Sequence, residues 1–179
     1  MRHGRTDWND RHKLQGQTET ELNEAGRKMA AGAAEEYKDV HFDIAFCSPL
    51  KRAVETAQLL LEGRDIPIIY DERLKEVSFG IYEGIENSFD IPDCPVNRFF
   101  FEPEKYTEAP EGAENIDELM ARTGEFLKEK VEPELNAGRD VLIVGHGAMN
   151  SAIITQVKNR DKSEFWKDGI ENCKLMRLK

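Results

Sequence analysis

The feature that most restricts the fold is a nearly continuous apolar run, Val-Leu-Ile-Val, within residues 140–145. A strand with one face in water alternates apolar and polar residues, whereas a strand covered on both faces is apolar throughout. Because fully covered strands occur mostly in parallel sheets flanked by helices, the run predicts a buried parallel strand. The triplet Gly145-His146-Gly147 follows and leads into a predicted helix over 147–158.

The remaining segments continue this alternation of strands and helices. Short extended runs are predicted at 43–47, 66–70 and 173–178. Helices are predicted at 18–37, after Pro49, and from Asn115 to about residue 135. The expected helix starts are a capping box of Thr18 with Glu21, Ser48 as N-cap, and Asn115 with Glu118 at the third helical position. Alternating strands and helices predict a layered α/β fold.

Composition restricts the class of protein. The 179 residues suit a single domain, 1–179, and show no internal repeat or linker. The net charge of −10 argues against nucleic acid or membrane as a partner, because both favour a positive protein surface. No stretch approaches the ~20 apolar residues that span a bilayer. Residues 1–4 show no apolar signal region, so a cytoplasmic protein is predicted.

Cysteines give no sign of a metal or redox site. Cys47, Cys94 and Cys173 are widely spaced and form no Cys-x-x-Cys pattern. We expect them to be buried as small apolar side chains.

Two of the four histidines, His3 and His146, are each followed by glycine. His146 lies at the carboxyl end of the predicted buried strand, the edge where ligands bind in open α/β sheets. A following glycine allows a sharp turn and the close approach of a ligand. The spacing alone leaves two interpretations open, ligand-binding histidines or structural histidines with satisfied hydrogen bonds.

Arg52 and two glutamates supply charged groups that a phosphate site would need. Near the first turn of a helix, a cation such as Arg52 is unfavourable unless an anion offsets it. A helix amino terminus beside an arginine can bind phosphate, although a surface arginine fits the same pattern. Glu76 or Glu83 could serve as a general acid, and each could equally be a solvated surface charge.

Six short blocks of residues follow one another along almost the whole chain. They are Arg2-His3-Gly4 with Thr6, Trp8 and Asn9; Gln15-Gly16-Gln17 with Leu22, Asn23 and Gly26; Ser48-Pro49-Leu50 with Arg52, Ala53, Thr56 and Ala57; Leu74 and Glu76 with Gly80, Glu83 and Gly84; Gly112 with Glu114; and Gly145-His146-Gly147. In this order the blocks resemble the histidine phosphatase superfamily, the phosphoglycerate mutase-like proteins. The combination is far more specific than any single block.

The resemblance implies a three-layer α/β/α sandwich with a mostly parallel central sheet. It implies His3 as the nucleophile, with the phosphoryl oxygens held by Arg2, Arg52 and His146. Asn9, Gln15 and Gly147 are implied as further substrate-binding residues. Glu76 is implied as the proton donor that later acts as the base. No metal or cofactor is implied.

Physical chemistry fits these roles. A phosphoryl transition state spreads its charge over three oxygens, so positioned cations can stabilise it without a metal ion. His3 must be neutral to attack, whereas His146 can be charged beside a bound phosphate. Glu76 must carry a proton when the ester oxygen leaves.

One departure from the family pattern concerns the amino terminus. Members of the family have an apolar strand of several residues before the Arg-His-Gly triplet, and only Met1 precedes it here. That strand is expected at the centre of the sheet. We therefore expect either that the chain starts late or that another segment takes the place of this strand.

The family includes both phosphatases and mutases, and the segment 85–112 is short for a mutase. We therefore predict hydrolysis of a small phosphorylated metabolite by a monomer or homodimer. Sugar phosphates, phosphoglycerates, nucleotide phosphates and ribazole phosphate all stay open as substrates. Phosphoryl transfer of the mutase type, a non-catalytic phospholigand-binding module and a histidine metal site are the alternatives. In 85–112, Phe99, Phe100, Phe101 and Tyr106 either form a wall over the leaving group or pack a satellite core.

Overall fold

The computed structural model describes residues 1–178, and its centre is a three-stranded parallel sheet. The strands are β1 (Ile44–Cys47), β2 (Ile68–Tyr70) and β3 (Val141–Val144), in the order β2-β1-β3. Ile44 pairs with Val141 and Cys47 with Val144, so the carboxyl ends of β1 and β3 meet at one edge. The predicted α/β fold with a parallel sheet is confirmed, including the strand at 140–145.

Helices and turns connect these strands. The α-helices are α1 (Asp7–Asp10), α2 (Glu24–Glu36), α3 (Lys51–Leu60), α4 (Arg98–Phe101), α5 (Ile116–Phe126), α6 (Glu132–Asn136) and α7 (Gly147–Val157). A π-helical stretch, Leu127–Val131, joins α5 to α6. Short 3-10 helices are Glu72–Leu74, Gly80–Tyr82, Ser88–Asp90, Pro95–Asn97, Pro103–Lys105 and Lys162–Glu164.

Helices cover both faces of the sheet. On one face, side chains of β1 and β3 pack against the alanine-rich α2 and α3. On the other face, Ile44 and Phe46 pack with Phe126 of α5 and Met149 of α7. Successive side chains of a strand point to opposite faces, which is why Ala45 and Ile44 belong to different clusters. The three-layer arrangement expected from the resemblance is confirmed.

The predicted start of the first long helix is wrong. Residues 18–23 are not helical, and α2 begins at Glu24 with Asn23 as its N-cap. The Asn23 side chain accepts a hydrogen bond from the Gly26 N–H at 2.9 Å. The Thr18 hydroxyl instead donates to the Glu83 carboxylate at 2.5 Å. A tertiary contact has thus overridden the local capping pattern.

The predicted cap at Ser48 is also wrong, whereas the one at Asn115 is confirmed. Helix α3 begins at Lys51, and its N-cap Leu50 makes no side-chain capping bond. Asn115 and Glu118 form the reciprocal capping box at the start of α5. The Ser48 hydroxyl instead lies 2.7 Å from His146 Nε2 and accepts the Leu50 N–H at 3.3 Å, before the helix begins.

The two ends of the described chain meet beside β3, and the strand predicted at 173–178 is wrong. Arg2 forms isolated parallel bridges with Gly145 on one side and Asn172 on the other. Residues 174–178 have no strand pairing, and Cys173 takes a left-handed φ of 56°. The Met1 ammonium group donates to the Ile143 carbonyl at 2.6 Å. Beside it lies a groove of about 910 Å³.

Residues 85–112 are irregular, as predicted, and they help to build a second core. Phe99 and Tyr106 are buried and pack with Leu119 of α5, Ala152 of α7 and Phe165. Phe101, by contrast, is 68% exposed. The satellite-core interpretation is therefore right for Phe99 and Tyr106.

Among residues 1–178, no helix combines the length and the apolar character needed to cross a bilayer.

Candidate active site

His3 lies at the carboxyl edge of the sheet, where the Met1–His3 segment runs beside β3. Its backbone N–H donates to the Gly145 carbonyl at 2.9 Å, and its side chain is almost completely buried. The ring Nδ1 lies 2.6 Å from the Gly4 carbonyl oxygen. Because a carbonyl only accepts hydrogen bonds, Nδ1 carries the ring proton. In the neutral ring, Nε2 then holds the lone pair that a nucleophile needs.

His146 faces His3 from the end of β3. It is the N-cap residue of α7, has no exposed surface, and its ring centroid lies 5.2 Å from that of His3. Its Nε2 is 2.7 Å from the Ser48 hydroxyl at the end of β1. Its Nδ1 is buried without a hydrogen-bond partner among the described residues. Two neighbouring strand ends therefore fix this imidazole and leave one ring nitrogen unused.

Arg52 lies in the first turn of α3 and is completely buried, so the surface-arginine interpretation is wrong. Its Nη1 donates to the Thr18 carbonyl at 2.8 Å and its Nη2 to the Gly16 carbonyl at 2.7 Å. Its Nε is buried and has no partner within residues 1–178. Gly16 takes a φ of 52°, and a Cβ there would lie 2.0 Å from Glu83 Oε1, so this turn requires glycine.

Arg2 approaches the same place from the other side of His3. Its Nη1 donates to the Ile170 carbonyl at 3.0 Å. Its Nε is another buried nitrogen that lacks a partner in the described part of the chain. A Cβ built on Gly147 would lie 3.8 Å from the Arg2 Cζ, so the predicted residues Arg2 and Gly147 are in contact distance.

Positive charge is concentrated here in a chain of net charge −10. Burial, followed by the nearby guanidinium groups of Arg52 and Arg2, holds the pKa of His3 well below its usual value. Burial and the same cations likewise lower the pKa of His146. Burial lowers the pKa of Arg52 to about 10. Each shift disfavours the cationic form of its group, so an anion bound here would relieve a cost that the free protein carries.

Glu76 is the negative group of the site. Its carboxylate accepts hydrogen bonds from the backbone N–H groups of Val77, Ala148 and Met149 at 3.0–3.2 Å. Two of these donors belong to the first turn of α7, where a negative charge is favourable. Glu76 Oε2 also lies 3.6 Å from the Cβ position of Gly147. The carboxylate therefore lies beside both Arg2 and the backbone that follows His146.

Asn9 and Gln15 both bond Thr6, which lies just after the Arg-His-Gly triplet. The Asn9 side-chain oxygen accepts from the Thr6 N–H at 3.1 Å and closes the capping box of α1. The Gln15 side-chain oxygen accepts from the hydroxyl groups of Thr6 at 2.9 Å and Thr20 at 2.8 Å. Neither side-chain nitrogen donates to another residue of the described chain. These amides support the triplet through their oxygens and can offer only their nitrogens to a ligand.

Glu83, the alternative general acid, has a structural position. It accepts hydrogen bonds from the backbone N–H groups of Gln17 at 2.9 Å, Thr18 at 2.8 Å and Phe79 at 3.1 Å. It thereby fixes the turn that supplies carbonyls to Arg52. Sequence reasoning missed this tie because it joins residues that lie far apart in the chain.

A possible metal-ligand cluster lies at the opposite edge of the sheet. Within residues 1–178, His41, Asp43 and Asp140 are close enough to share an ion. They precede β1 and β3, whereas His3 and His146 lie beyond the ends of these strands. His41 Nε2 and the Asp140 N–H already contact the two carboxylate oxygens of Asp43 at 3.0 and 2.7 Å. The cluster is therefore separate from the histidine site.

Comparison with known proteins identifies the family of this chain. The whole chain, 1–179, matches the Histidine phosphatase superfamily (branch 1). A 2,3-bisphosphoglycerate-dependent phosphoglycerate mutase of Cytophaga hutchinsonii is 35% identical over 160 residues, which are 88% of this chain and 75% of the mutase. A glucosyl-3-phosphoglycerate phosphatase of Mycobacterium tuberculosis is 35% identical over 159 residues, covering 86% of this chain and 71% of the phosphatase.

Solved structures give the same result. A mycobacterial glucosyl-3-phosphoglycerate phosphatase complexed with VO3 superposes with a TM-score of 0.82 at 30% identity, over 96% of this chain and 84% of that one. The chain belongs to the histidine phosphatase superfamily.

Proposed function

We propose that the protein is a phosphatase that hydrolyses a small-molecule phosphate monoester through a phosphohistidine at His3, without a metal ion. The proposal rests on one observation. Three buried nitrogens around His3, namely Arg2 Nε, Arg52 Nε and His146 Nδ1, have no hydrogen-bond partner in the described chain. Unsatisfied buried polar groups are costly, and a phosphoryl group offers three acceptor oxygens to the same small region.

The first step transfers the phosphoryl group to the protein. The His3 Nε2 lone pair forms a bond to phosphorus while the ester oxygen–phosphorus bond breaks, and the leaving oxygen takes that electron pair. The guanidinium groups of Arg2 and Arg52 stabilise the charge on the phosphoryl oxygens. The Gly4 carbonyl holds the His3 Nδ1 proton in place and stabilises the cation that forms on the ring.

Glu76 acts in both steps, as the acid in the first and as the base in the second, in which water hydrolyses the phosphohistidine. Glu76 gives its proton to the leaving oxygen and then accepts a proton from the water that attacks phosphorus, while the nitrogen–phosphorus bond breaks and its electron pair returns to His3. In the free protein the Glu76 carboxylate accepts three backbone N–H groups.

The test is hydrolysis of an activated aryl phosphate at neutral and mildly acidic pH, with and without chelator. We expect turnover to resist chelator and the His3→Ala variant to lose on the order of 10³-fold or more in kcat. His41→Ala is the matched control, because that imidazole is exposed and lies at the opposite edge of the sheet. Substantial turnover by His3→Ala would exclude the covalent mechanism, and loss in chelator would exclude metal independence.

A mutase activity is the second candidate, because one relative that is 35% identical over 88% of the chain is a phosphoglycerate mutase. Incubation with 3-phosphoglycerate and a trace of its bisphosphate separates the two activities. Release of inorganic phosphate supports the phosphatase, whereas conversion to 2-phosphoglycerate without phosphate release supports the mutase.

The remaining features are proposals of the same kind. We propose that 1–179 acts as one domain, with 85–112 covering the leaving group. Cytoplasmic location and a monomer or homodimer stay predictions. The buried, unpaired Cys47, Cys94 and Cys173 are compatible with a reducing compartment.

A further inference from the structure

One arginine outside the phosphate pocket has an acceptor for every one of its hydrogen-bond donors. Arg122 projects from α5, and each of its five N–H groups donates a hydrogen bond. Two go to the Glu114 carboxylate, from Nε at 2.6 Å and from Nη2 at 2.8 Å. The other three go to backbone carbonyls of a single segment, 73–76. Both side chains of this ion pair are less than one-fifth exposed.

These carbonyls belong to the segment that delivers Glu76 to the site. Nη1 donates to the carbonyls of Arg73 at 2.5 Å and Lys75 at 2.8 Å, and Nη2 donates to that of Glu76 at 3.1 Å. Beyond the short 3-10 helix Glu72–Leu74, this segment has no regular structure to satisfy its carbonyls. One guanidinium group therefore supplies the hydrogen bonds that a helix or strand would otherwise give to these carbonyls.

The backbone and the side chain of Glu76 are held by different elements. Its carbonyl also accepts from the Gln17 side-chain nitrogen at 3.1 Å, so two donors hold the main chain. Its carboxylate is held by the first turn of α7. Helices α5 and α7 are themselves tied by a bond from Gln156 Nε2 to the Thr123 hydroxyl at 2.9 Å. Arg122 on α5 and the first turn of α7 thus hold the two ends of the same residue, Glu76.

We propose that Arg122, oriented by Glu114, is a positioning residue that holds Glu76 at the distance needed for proton transfer to the leaving group. The inference rests on the proposed phosphatase function and on Glu76 as the general acid. It also gives a role to Glu114, which is part of the Gly112–Glu114 block and whose carboxylate is bound by Arg122.

The planar fork of arginine is what this site uses. A lysine offers three donors from a single point, so it cannot reach the Glu114 carboxylate and three carbonyls with the same geometry. The Arg122→Lys variant keeps the charge and loses the fork, whereas Arg122→Gln loses both. A displacement of about 1 Å in a reacting group can cost on the order of 10²-fold in rate.

The experiment compares two esters with the full chain. An alkyl phosphate needs a protonated leaving oxygen, whereas an activated aryl phosphate does not. For Arg122→Gln we expect kcat to fall on the order of 10–100-fold on the alkyl ester and less than about 3-fold on the aryl ester, with KM nearly unchanged. Arg122→Lys should recover part of the loss. In a Glu76→Gln background, Arg122→Gln should leave the alkyl-to-aryl ratio unchanged.

Arg64→Gln is the matched control, because Arg64 also donates to backbone carbonyls, those of Tyr37 at 3.5 Å and Val40 at 2.5 Å, in another loop. Equal losses on both esters, or no loss, would overturn the positioning role. If Arg122→Gln does not fold, Glu114→Gln replaces it and must show the same selective loss. Turnover that does not depend on His3 in the unaltered protein would overturn the proposed function as well, so the two failures are distinguishable.

Discussion

His3, Arg52 and His146 are at most 2% exposed, whereas Phe89 and Phe101 on the segment 85–112 are 57% and 68% exposed. The first group sits where strands end and helices begin, so the position of each side chain follows from the sheet. The second group is carried by short helices and turns that pack around a core of their own. We therefore predict that recognition of the phosphoryl group belongs to the fold, while recognition of the leaving group belongs to a segment that can vary.

The largest expected effect concerns the residues that bind the phosphoryl group. It tests whether they act independently of the segment 85–112. Arg52→Gln should lower kcat/KM on the order of 10³–10⁵-fold, because a guanidinium group that stabilises a phosphoryl transition state contributes that much. The loss should be the same for alkyl and aryl esters. Arg27→Gln, which removes an arginine of α2 that pairs with Glu55, is the control. Unequal losses on the two esters would mean that the two regions are not independent.

The next effect tests the core of the variable segment. Phe99 is completely buried and has ring contacts with Tyr106, Phe165 and Trp166. Phe99→Ala should lower the free energy of unfolding by about 3–5 kcal/mol, the usual cost of removing a buried phenyl group. Urea denaturation measures it. The molecules that remain folded should keep most of their His3-dependent turnover, although the protein is much less stable.

Acid should lower the stability of the folded protein through the two histidines of the phosphate pocket. The pKa values of His3 and His146 are lowered in the folded protein. Below about pH 6.5 the unfolded chain therefore binds more protons than the folded chain, and stability falls as the pH falls. The limiting slope is about 1.4 kcal/mol per pH unit for each histidine. Phosphate should reduce the slope, because a bound anion favours the charged rings.

Denaturation curves from neutral pH to about pH 5, with phosphate or with chloride at equal ionic strength, measure this dependence. A flat profile in chloride would show that the two imidazoles are not held neutral by the fold.

The smallest effect concerns the exposed aromatic surface. Phe101→Ser should raise KM several-fold for esters with bulky apolar leaving groups, since it removes on the order of 1 kcal/mol of apolar contact. Esters of small alcohols should be unaffected, and kcat should hold for both. No change with any ester would place the leaving group elsewhere.

The sequence predicted those parts of the fold that depend on local patterns. The apolar run in 140–145 and the capping box of Asn115 with Glu118 are both confirmed, because nothing distant competes with them. Thr18 and Ser48 carried the same kind of local signal, and both predicted caps are wrong. Their hydroxyl groups bond Glu83 and His146, which lie more than sixty residues away in each case.

The residues of the candidate site also divide into those that the sequence indicated and those that depend on distant contacts. The resemblance identified His3, His146 and both pocket arginines, and the structure brings these residues together. It did not indicate Arg122, whose partners are mostly backbone carbonyls and therefore leave no mark on the residue types of segment 73–76. Burial is the largest cause of the lowered pKa values of the two histidines, and sequence periodicity alone does not report burial.

The contacts between residues 2–3 and 170–173 have a consequence for the folding of the protein. The Asn172 side chain donates to the His3 carbonyl at 2.6 Å, and the Cys173 N–H donates to that of Arg2 at 2.9 Å. The proposed nucleophile and the residue that holds its carbonyl lie 169 positions apart in the sequence. Contacts this distant in sequence form late in folding. The catalytic pocket is therefore complete only after these distant segments have met, and fragments that end before residue 170 should be inert toward phosphate esters.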